Sequence, residues 1–160
     1  MSPASRVNIR RCDTQEDLET CKRLRWTVFV EEQNVPPSLE HDEHDRLPAP
    51  GETRAPVHAL AELIEADGRT IPCAAGRLIW KSEALAKLQR MAVIDDARGK
   101  GVGRLLLAFL ESEARARGAR RFTLGAQLHA RGFYEGAGYV AIGDIFDDAG
   151  IPHVTMEKDA

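Results

Sequence analysis

The sequence predicts an α/β (α+β) protein in which a mixed, largely antiparallel central sheet carries helices on both faces. The first observation behind this is the order of predicted elements, β-α-loop-β-β-β-α-β-α-β-β. The second is that hairpin connections join the middle strands, whereas a single strand-helix-strand crossover follows them. The length of 160 residues and the hydrophobic content of 43% suit one compact domain over residues 1–160.

In the first third of the chain, a weak apolar alternation predicts a strand over 7–11. Asp13 and Thr14, with Glu16 and Asp17 three residues later, are typical of a helix start. Apolar residues at helical spacing then predict a helix to about Val30, and they are Leu18, Cys21, Leu24 and Val28. Residues 31–56 are rich in prolines, acids and histidines, so we expect a long loop there with room for one helical turn.

The rest of the chain alternates strands and helices. We predict strands over 57–65 and 71–80 around the turn Asp67-Gly68, and another over 86–94. That third strand is expected to place Leu88, Arg90 and Ala92 on one face and Gln89, Met91 and Val93 on the other. An amphipathic helix is predicted from Val102 to near Gly118, with an apolar face of Val102, Leu105, Leu106, Phe109 and Leu110. A strand over 121–126, a short helix over 128–137 and strands over 139–145 and 153–156 complete the prediction.

The charges exclude one class of partner. A formal net charge of −3 argues against a nucleic-acid-binding protein, because such domains are usually basic. Residues 31–45 contain six acids and no Lys or Arg, whereas residues 98–121 contain seven basic residues and two acids. This uneven distribution indicates either two ligands of opposite sign or simply a solvated loop and a charged helix face.

The cysteine content bears on the cellular compartment. The three cysteines, Cys12, Cys21 and Cys73, have spacings that suggest neither a disulfide framework nor a zinc site. Residues 1–11 do not resemble a secretion signal, and no apolar run approaches the roughly 20 residues that cross a bilayer. We therefore expect a cytoplasmic protein with no membrane partner.

A glycine-rich turn carries the strongest functional signal. The segment Arg98-Gly99-Lys100-Gly101-Val102-Gly103 follows a predicted strand and opens the most amphipathic helix. Free backbone amides and the helix dipole, worth about half a positive charge, favour an anion at such a position. The turn therefore predicts a phosphate site. Its mid-chain position does not match a dinucleotide fold, and the Gly-Lys-Ser/Thr of a triphosphate loop is absent.

Longer stretches of the chain resemble a known family. The glycine turn and two further segments resemble the coenzyme A-binding motifs of the GNAT superfamily of acyltransferases, and these segments are Gln89-Arg90-Met91-Ala92-Val93 and Ala130-Arg131-Gly132-Phe133-Tyr134-Glu135-Gly136-Ala137-Gly138-Tyr139. Residues 25–33 and 150–156 further resemble the small ElaA-like branch. The likeness covers nearly the whole chain.

This resemblance implies acetyl-coenzyme A as co-substrate. The backbone of Met91, Ala92 and Val93 is expected to pair with its pantetheine arm. The backbone amides of the turn would bind the pyrophosphate, and the residues implied are Arg98, Gly99, Lys100, Gly101, Val102 and Gly103. The side chains of Arg98, Lys100 and Arg104 would add positive charge at the same end. Tyr134 would lie near the thioester sulfur. One position departs from the family pattern, since many relatives have Asn where this chain has Gln127.

The chemistry of acyl transfer to an amine assigns roles to these residues. A lysine-like amine has a pKa of about 10.4, so a base helps to present it uncharged. The resemblance places Glu32, Asp42 and His153 near the ends of the cleft, so they are candidate bases, and Glu32 and Asp42 are also candidate acceptor contacts. Tyr134 is the candidate general acid for the departing thiolate. We expect direct transfer, because no cysteine has an obvious neighbouring base.

Several alternatives stay open. The expected acceptor is a small-molecule amine or exposed amino group, and the acid-rich loop favours a cationic one. His41 to Asp45 also resembles a metal site, but without a further ligand cluster we expect none. The chain could instead be a catalytically silent coenzyme A-binding module or a binder of another nucleotide. Similar proteins are frequently dimers, so a homodimer is one expected state.

Overall fold

The structure is a computed structural model that describes residues 6–160; Met1 to Ser5, which the N-terminal signal argument used, lie outside the described residues. Its strands are β1 (Arg6–Arg11), β2 (Val57–Ile64), β3 (Thr70–Trp80), β4 (Leu85–Val93), β5 (Arg121–Gln127), β6 (Val140–Asp148) and β7 (Ile151–Asp159). They form one sheet in the order β1-β2-β3-β4-β5-β7-β6. The predicted strands are all present within one or a few residues of their expected bounds.

The helices lie on both faces of this sheet. They are α1 (Gln15–Arg25), α2 (Pro37–Glu40), α3 (Val102–Ala116) and α4 (Arg131–Gly136). The predicted helix start is confirmed, because the Asp17 amide donates to Thr14 Oγ1 at 3.2 Å. The same helix continues beyond Arg25 as a π-helix, Trp26–Glu32, whose wider turn ends with the Gln33 amide donating to the Val28 carbonyl at 3.2 Å. None of the helices in residues 6–160 has the length and apolarity needed to cross a membrane.

Two apolar layers hold the helices to the sheet. The α3 layer contains Val102, Leu106, Leu107 and Leu110, all at most 1% exposed, packed with Leu78, Leu88 and Phe122 from the sheet. The α1 layer joins Cys21 and Leu24 to Cys12, Leu60 and Ala75. The predicted apolar face of α3 is confirmed except at Leu105, which is 49% exposed because it lies off the buried face, where Leu107 packs instead.

The only parallel strand pair in the described sheet opens a cleft. β4 and β5 pair through Leu85–Lys87 and Arg121–Thr123 alone, whereas the pairs on either side of them are antiparallel and longer. Beyond Lys87, β4 therefore has no strand neighbour on its β5 side. The crossover helix α3 joins these two strands and begins at the glycine turn, so the turn and the cleft lie close together.

A bulge in β4 changes which residues face the cleft. The register between β3 and β4 shifts between Ala75 and Arg77, and Arg90 has a φ of 56°, a left-handed conformation that is uncommon for a residue with a side chain. Bulges insert one unpaired residue and so reverse the alternation beyond it. The predicted alternation is therefore wrong at this point, since Gln89 and Arg90 lie on the same side of the strand, where they contact Arg77 and Asp42.

Candidate active site

The cleft between β4 and β5 contains a cavity of about 730 Å³. One wall is the exposed edge of β4, and the opposite wall comes from β5, β7 and the start of α4. The π-helix and α2 cover the top. The sequence-predicted residues that line it are Glu32, Met91, Val93, Arg98, Gly103, Tyr134 and His153. Asp42, Ala92, Gly99 to Val102 and Arg104 do not line it.

The glycine turn presents a row of free amides beside this cavity. Within residues 6–160, the backbone N–H groups of 99–104 donate to no backbone or side-chain acceptor. Gly99 and Gly101 have φ values of 76° and 79°, which side chains rarely tolerate, and a Cβ added at either would touch nothing within 4 Å. The two glycines are therefore required by the backbone path and leave open space in front of the amides. An anion can approach them there.

The charges around the turn are divided between free and occupied groups. Lys100 and Arg104 are exposed and form no salt bridge among the described residues. Arg98 is different, because its guanidinium donates to the Val93 carbonyl at 2.9 Å and to Glu32 at 2.8 Å, and its amide donates to Asp95. The Arg98 side chain therefore links β4 to the π-helix through hydrogen bonds. The positive charge that remains available at the turn comes from Lys100 and Arg104.

Met91 and Val93 lie on the β4 edge that has no strand neighbour. Met91 packs against the core cluster that contains the α3 leucines, and its sulfur lies 2.8 Å from the position of a Cβ added at Gly76 of β3. Val93 lies beside Gly103. Ala92, by contrast, is 1% exposed and contributes only its backbone. An extended ligand arm can pair with such an edge as an added strand does.

Tyr134 stands on α4 at the end of the cavity nearest Gly103. Its ring packs edge-on against Phe133 and Tyr139, with centroid distances of 5.0 and 5.9 Å. Burial raises the pKa of the Tyr134 hydroxyl to about 12, and within residues 6–160 this hydroxyl has no hydrogen-bond partner. It is therefore a protonated donor at neutral pH that faces the cavity and is not engaged by the protein.

His153 lies across the cavity on β7. Its Nδ1 is 2.7 Å from the carbonyl oxygen of Ile151, and since a carbonyl only accepts, Nδ1 carries the hydrogen. In this tautomer Nε2 is a proton acceptor. The ring stacks on Phe146 with centroids 5.7 Å apart, and Gly125 beside it leaves room, because a Cβ there would lie 3.3 Å from the Phe146 ring.

The acidic loop is folded onto arginines that sequence reasoning did not single out. Arg77 donates to both carboxylate oxygens of Asp42 at 2.7 Å and to Asp45 at 3.0 Å. Arg25 donates to Glu40 at 2.6 Å and also binds Asp45. We call these residues with Arg90 the ion cluster. In this cluster, arginines bind three acids of the loop that was expected to attract a cationic acceptor, namely Glu40, Asp42 and Asp45. Asp42 does not line the cavity.

The ion cluster could not be found by spacing, because its partners are far apart in the chain. Arg77 and Asp42 are separated by 35 residues. The segment His41 to Asp45 is held by this cluster, and no group of three or more potential metal ligands occurs in residues 6–160. Gln127, the position that departs from the family pattern, exchanges amide hydrogen bonds with Gln33 at 2.8 and 3.3 Å, which ties β5 to the π-helix.

Comparison with known proteins decides the family. The model of the acetyltransferase (GNAT) domain matches residues 59–160. This chain belongs to the GNAT acetyltransferase family. Among its relatives, the uncharacterised N-acetyltransferase YjcF of Bacillus subtilis is 36% identical over 147 residues, which cover 91% of this chain and 94% of YjcF.

Two further proteins confirm the resemblance predicted from the motifs. ElaA of Escherichia coli is 30% identical over 141 residues, or 86% of this GNAT chain and 84% of ElaA, and its crystal structure superposes with a TM-score of 0.76. An aminoglycoside 6′-N-acetyltransferase complexed with coenzyme A shares the fold at 17% identity, with a TM-score of 0.69 over 95% of this chain and 96% of that enzyme. The predicted fold class is thereby confirmed.

Proposed function

We propose that this GNAT protein is an N-acetyltransferase that moves an acetyl group from acetyl-coenzyme A directly to a primary amine. The observation that carries the proposal is the row of free amides at 99–104 beside a cavity that contains a free Tyr134 hydroxyl. When bound, acetyl-coenzyme A supplies an acetyl thioester. The fit is supported by Lys100 and Arg104 at the turn and by the free edge of β4, which suit a pyrophosphate and an extended arm.

Other groups at the cavity supply the hydrogen-bond donors and the base that acetyl transfer needs. Tyr134 donates a hydrogen bond to a departing sulfur, and a backbone amide near the end of β4 polarises the carbonyl. Between the two candidate bases that line the cavity, His153 has a free acceptor nitrogen, whereas Glu32 is bound to Arg98. Direct transfer is favoured because the three cysteines are buried and none lines the cavity.

Acetyl transfer is tested by mixing the protein with acetyl-coenzyme A and a panel of primary amines while free thiol is measured. We expect amine-dependent thiol release and an N-acetylated product identified by mass spectrometry. Thermal stabilisation by coenzyme A, but not by ATP or NAD, is expected in parallel. Stabilisation without turnover on any amine would favour the silent binding module, and preferential stabilisation by ATP or NAD would contradict a coenzyme A site.

Replacing His153 by alanine is expected to lower kcat by about a hundredfold, the usual contribution of a positioned base. Because the substitution leaves a space of imidazole size, added imidazole should restore part of the rate. His44→Ala is the matched control, since the His44 side chain does not line the cavity. An unchanged kcat in His153→Ala would assign the base role to Glu32 or to water.

A further inference from the structure

The β4 wall of the cavity carries a group of basic residues at the end away from the glycine turn. Lys87 and Arg90 both line the cavity, with Gln89 between them. The bulge places Arg90 on this side of the strand. Gln89 is engaged, because its amide oxygen accepts from Arg77 Nε at 2.9 Å. Lys87 and Arg90 are the cationic groups at this end of the wall.

Lys87 is a half-buried lysine without a partner. It forms no salt bridge with any residue in 6–160, and burial lowers its pKa, an effect that the positive charges of Lys81, Arg90 and Arg77 increase. Asp148 on the opposite wall opposes this shift but is itself exposed to solvent. A buried ammonium group normally has a compensating anion. The Lys87 ammonium group therefore lines the cavity without a carboxylate in salt-bridge contact.

Arg90 is held more weakly than the other arginines of the ion cluster. Its Nη2 lies 3.3 Å from Asp42 Oδ2 and 3.4 Å from the Leu39 carbonyl, and its Nε is buried without an acceptor. Asp42 Oδ2 is already 2.7 Å from Arg77, so Arg90 shares an oxygen that a stronger partner occupies. Burial lowers the Arg90 pKa, and the neighbouring charges of Arg77 and Arg25 lower it further.

Resting on the proposed acetyl transfer, we infer that Lys87 and Arg90 bind an anionic group, a carboxylate or a phosphonate-like group, on the acceptor amine. Of the two acids that sequence analysis assigned to a cationic acceptor, Asp42 is bound by Arg77 and Glu32 is bound by Arg98. The basic pair is also distinct from the pyrophosphate site. Lys87 and Arg90 precede Met91 and Val93 on β4, whereas the glycine turn follows the end of this strand and has its own exposed cations, Lys100 and Arg104.

The substrate class is tested with acceptors that differ only in charge. The series glycine, β-alanine, 4-aminobutyrate and 5-aminopentanoate is compared with the corresponding amides, and 2-aminoethylphosphonate distinguishes a phosphonate from a carboxylate. We expect kcat/KM for the best charged acceptor to exceed that of its amide by about tenfold or more, as for a charge-assisted hydrogen bond. The preferred chain length reports the distance from the reacting amine to the basic pair.

The roles of Lys87 and Arg90 are tested by measuring, in variants of each residue, the kcat/KM of a charged acceptor divided by that of its amide. Lys87→Met is expected to reduce this ratio about tenfold without changing thermal stabilisation by coenzyme A, which also shows that the variant is folded. Arg90→Gln should reduce it similarly. Lys81→Met is the matched control, because Lys81 is an exposed lysine on the turn before β4 and does not line the cavity.

The outcomes separate this inference from the proposed function. Equal use of acids and amides, or a preference that survives both substitutions, would overturn the anion site while acetyl transfer stands. A protein that binds coenzyme A but acetylates neither set of acceptors would instead contradict the proposed function itself.

Discussion

Tyr134→Phe is expected to lower kcat by about a hundredfold, within the range for a positioned proton donor, while coenzyme A continues to stabilise the protein. Tyr134 is 9% exposed, and burial raises the pKa of its hydroxyl to about 12, so the hydroxyl stays protonated. A thiol in water has a pKa of about 8.5, so complete proton transfer to a departing thiolate is unfavourable. We therefore expect Tyr134 to act mainly by donating a hydrogen bond.

Pre-steady-state measurement of thiol release checks this prediction, because it separates chemistry from product release. Tyr139→Phe is the matched control. Its hydroxyl donates to Glu111 at 2.8 Å and does not line the cavity, so this variant should lose stability and keep its kcat. A Tyr134→Phe variant with full turnover would remove the hydroxyl from the mechanism.

Arg25→Met is expected to destabilise the protein by about 3–5 kcal/mol, the cost of leaving buried charges without their partner. Arg25 is 1% exposed. It binds the carboxylate of Glu40 at 2.6 Å and the Glu40 carbonyl at 2.9 Å, and it also binds Asp45. Urea unfolding measures the change. Arg23→Met, an exposed substitution two residues earlier on the same helix, should change the free energy of unfolding by much less.

The same variant should lose part of the acid sensitivity of folding. Burial is the largest single effect on Asp45 and opposes its charged form, but the hydrogen bond with Arg25, the charges of Arg25 and Arg77 and the Asp42 amide together outweigh burial and hold the pKa below the ordinary value. A lowered carboxyl pKa stabilises the folded protein above the unfolded pKa of about 3.9, and this contribution is lost as the pH falls. The difference between native protein and Arg25→Met should therefore shrink below about pH 4. A constant difference would contradict the role of Asp45.

The parts of the site that sequence analysis predicted are those built by neighbouring residues. The glycine turn, the start of α3 and Tyr134 lie in short segments whose spacing carries the information. The β4 alternation was wrong because a bulge at Arg90 depends on pairing with β3. Similarly, the role expected for Arg98 in binding a phosphate is not evident in the structure, since its guanidinium reaches Glu32, 66 residues away.

The sequence by itself determined the order of elements and the glycine turn, because these depend on periodicity and on local backbone conformation. Its motifs resembled those of the acetyltransferase family to which the chain belongs. Only the tertiary structure decided which charges remain available. Ion pairs such as Arg77 with Asp42 join residues 35 positions apart, and no local pattern encodes them. Arg25 and Arg77 bind three acids of the loop, Glu40, Asp42 and Asp45, and the β4 wall of the cavity presents Lys87 and Arg90.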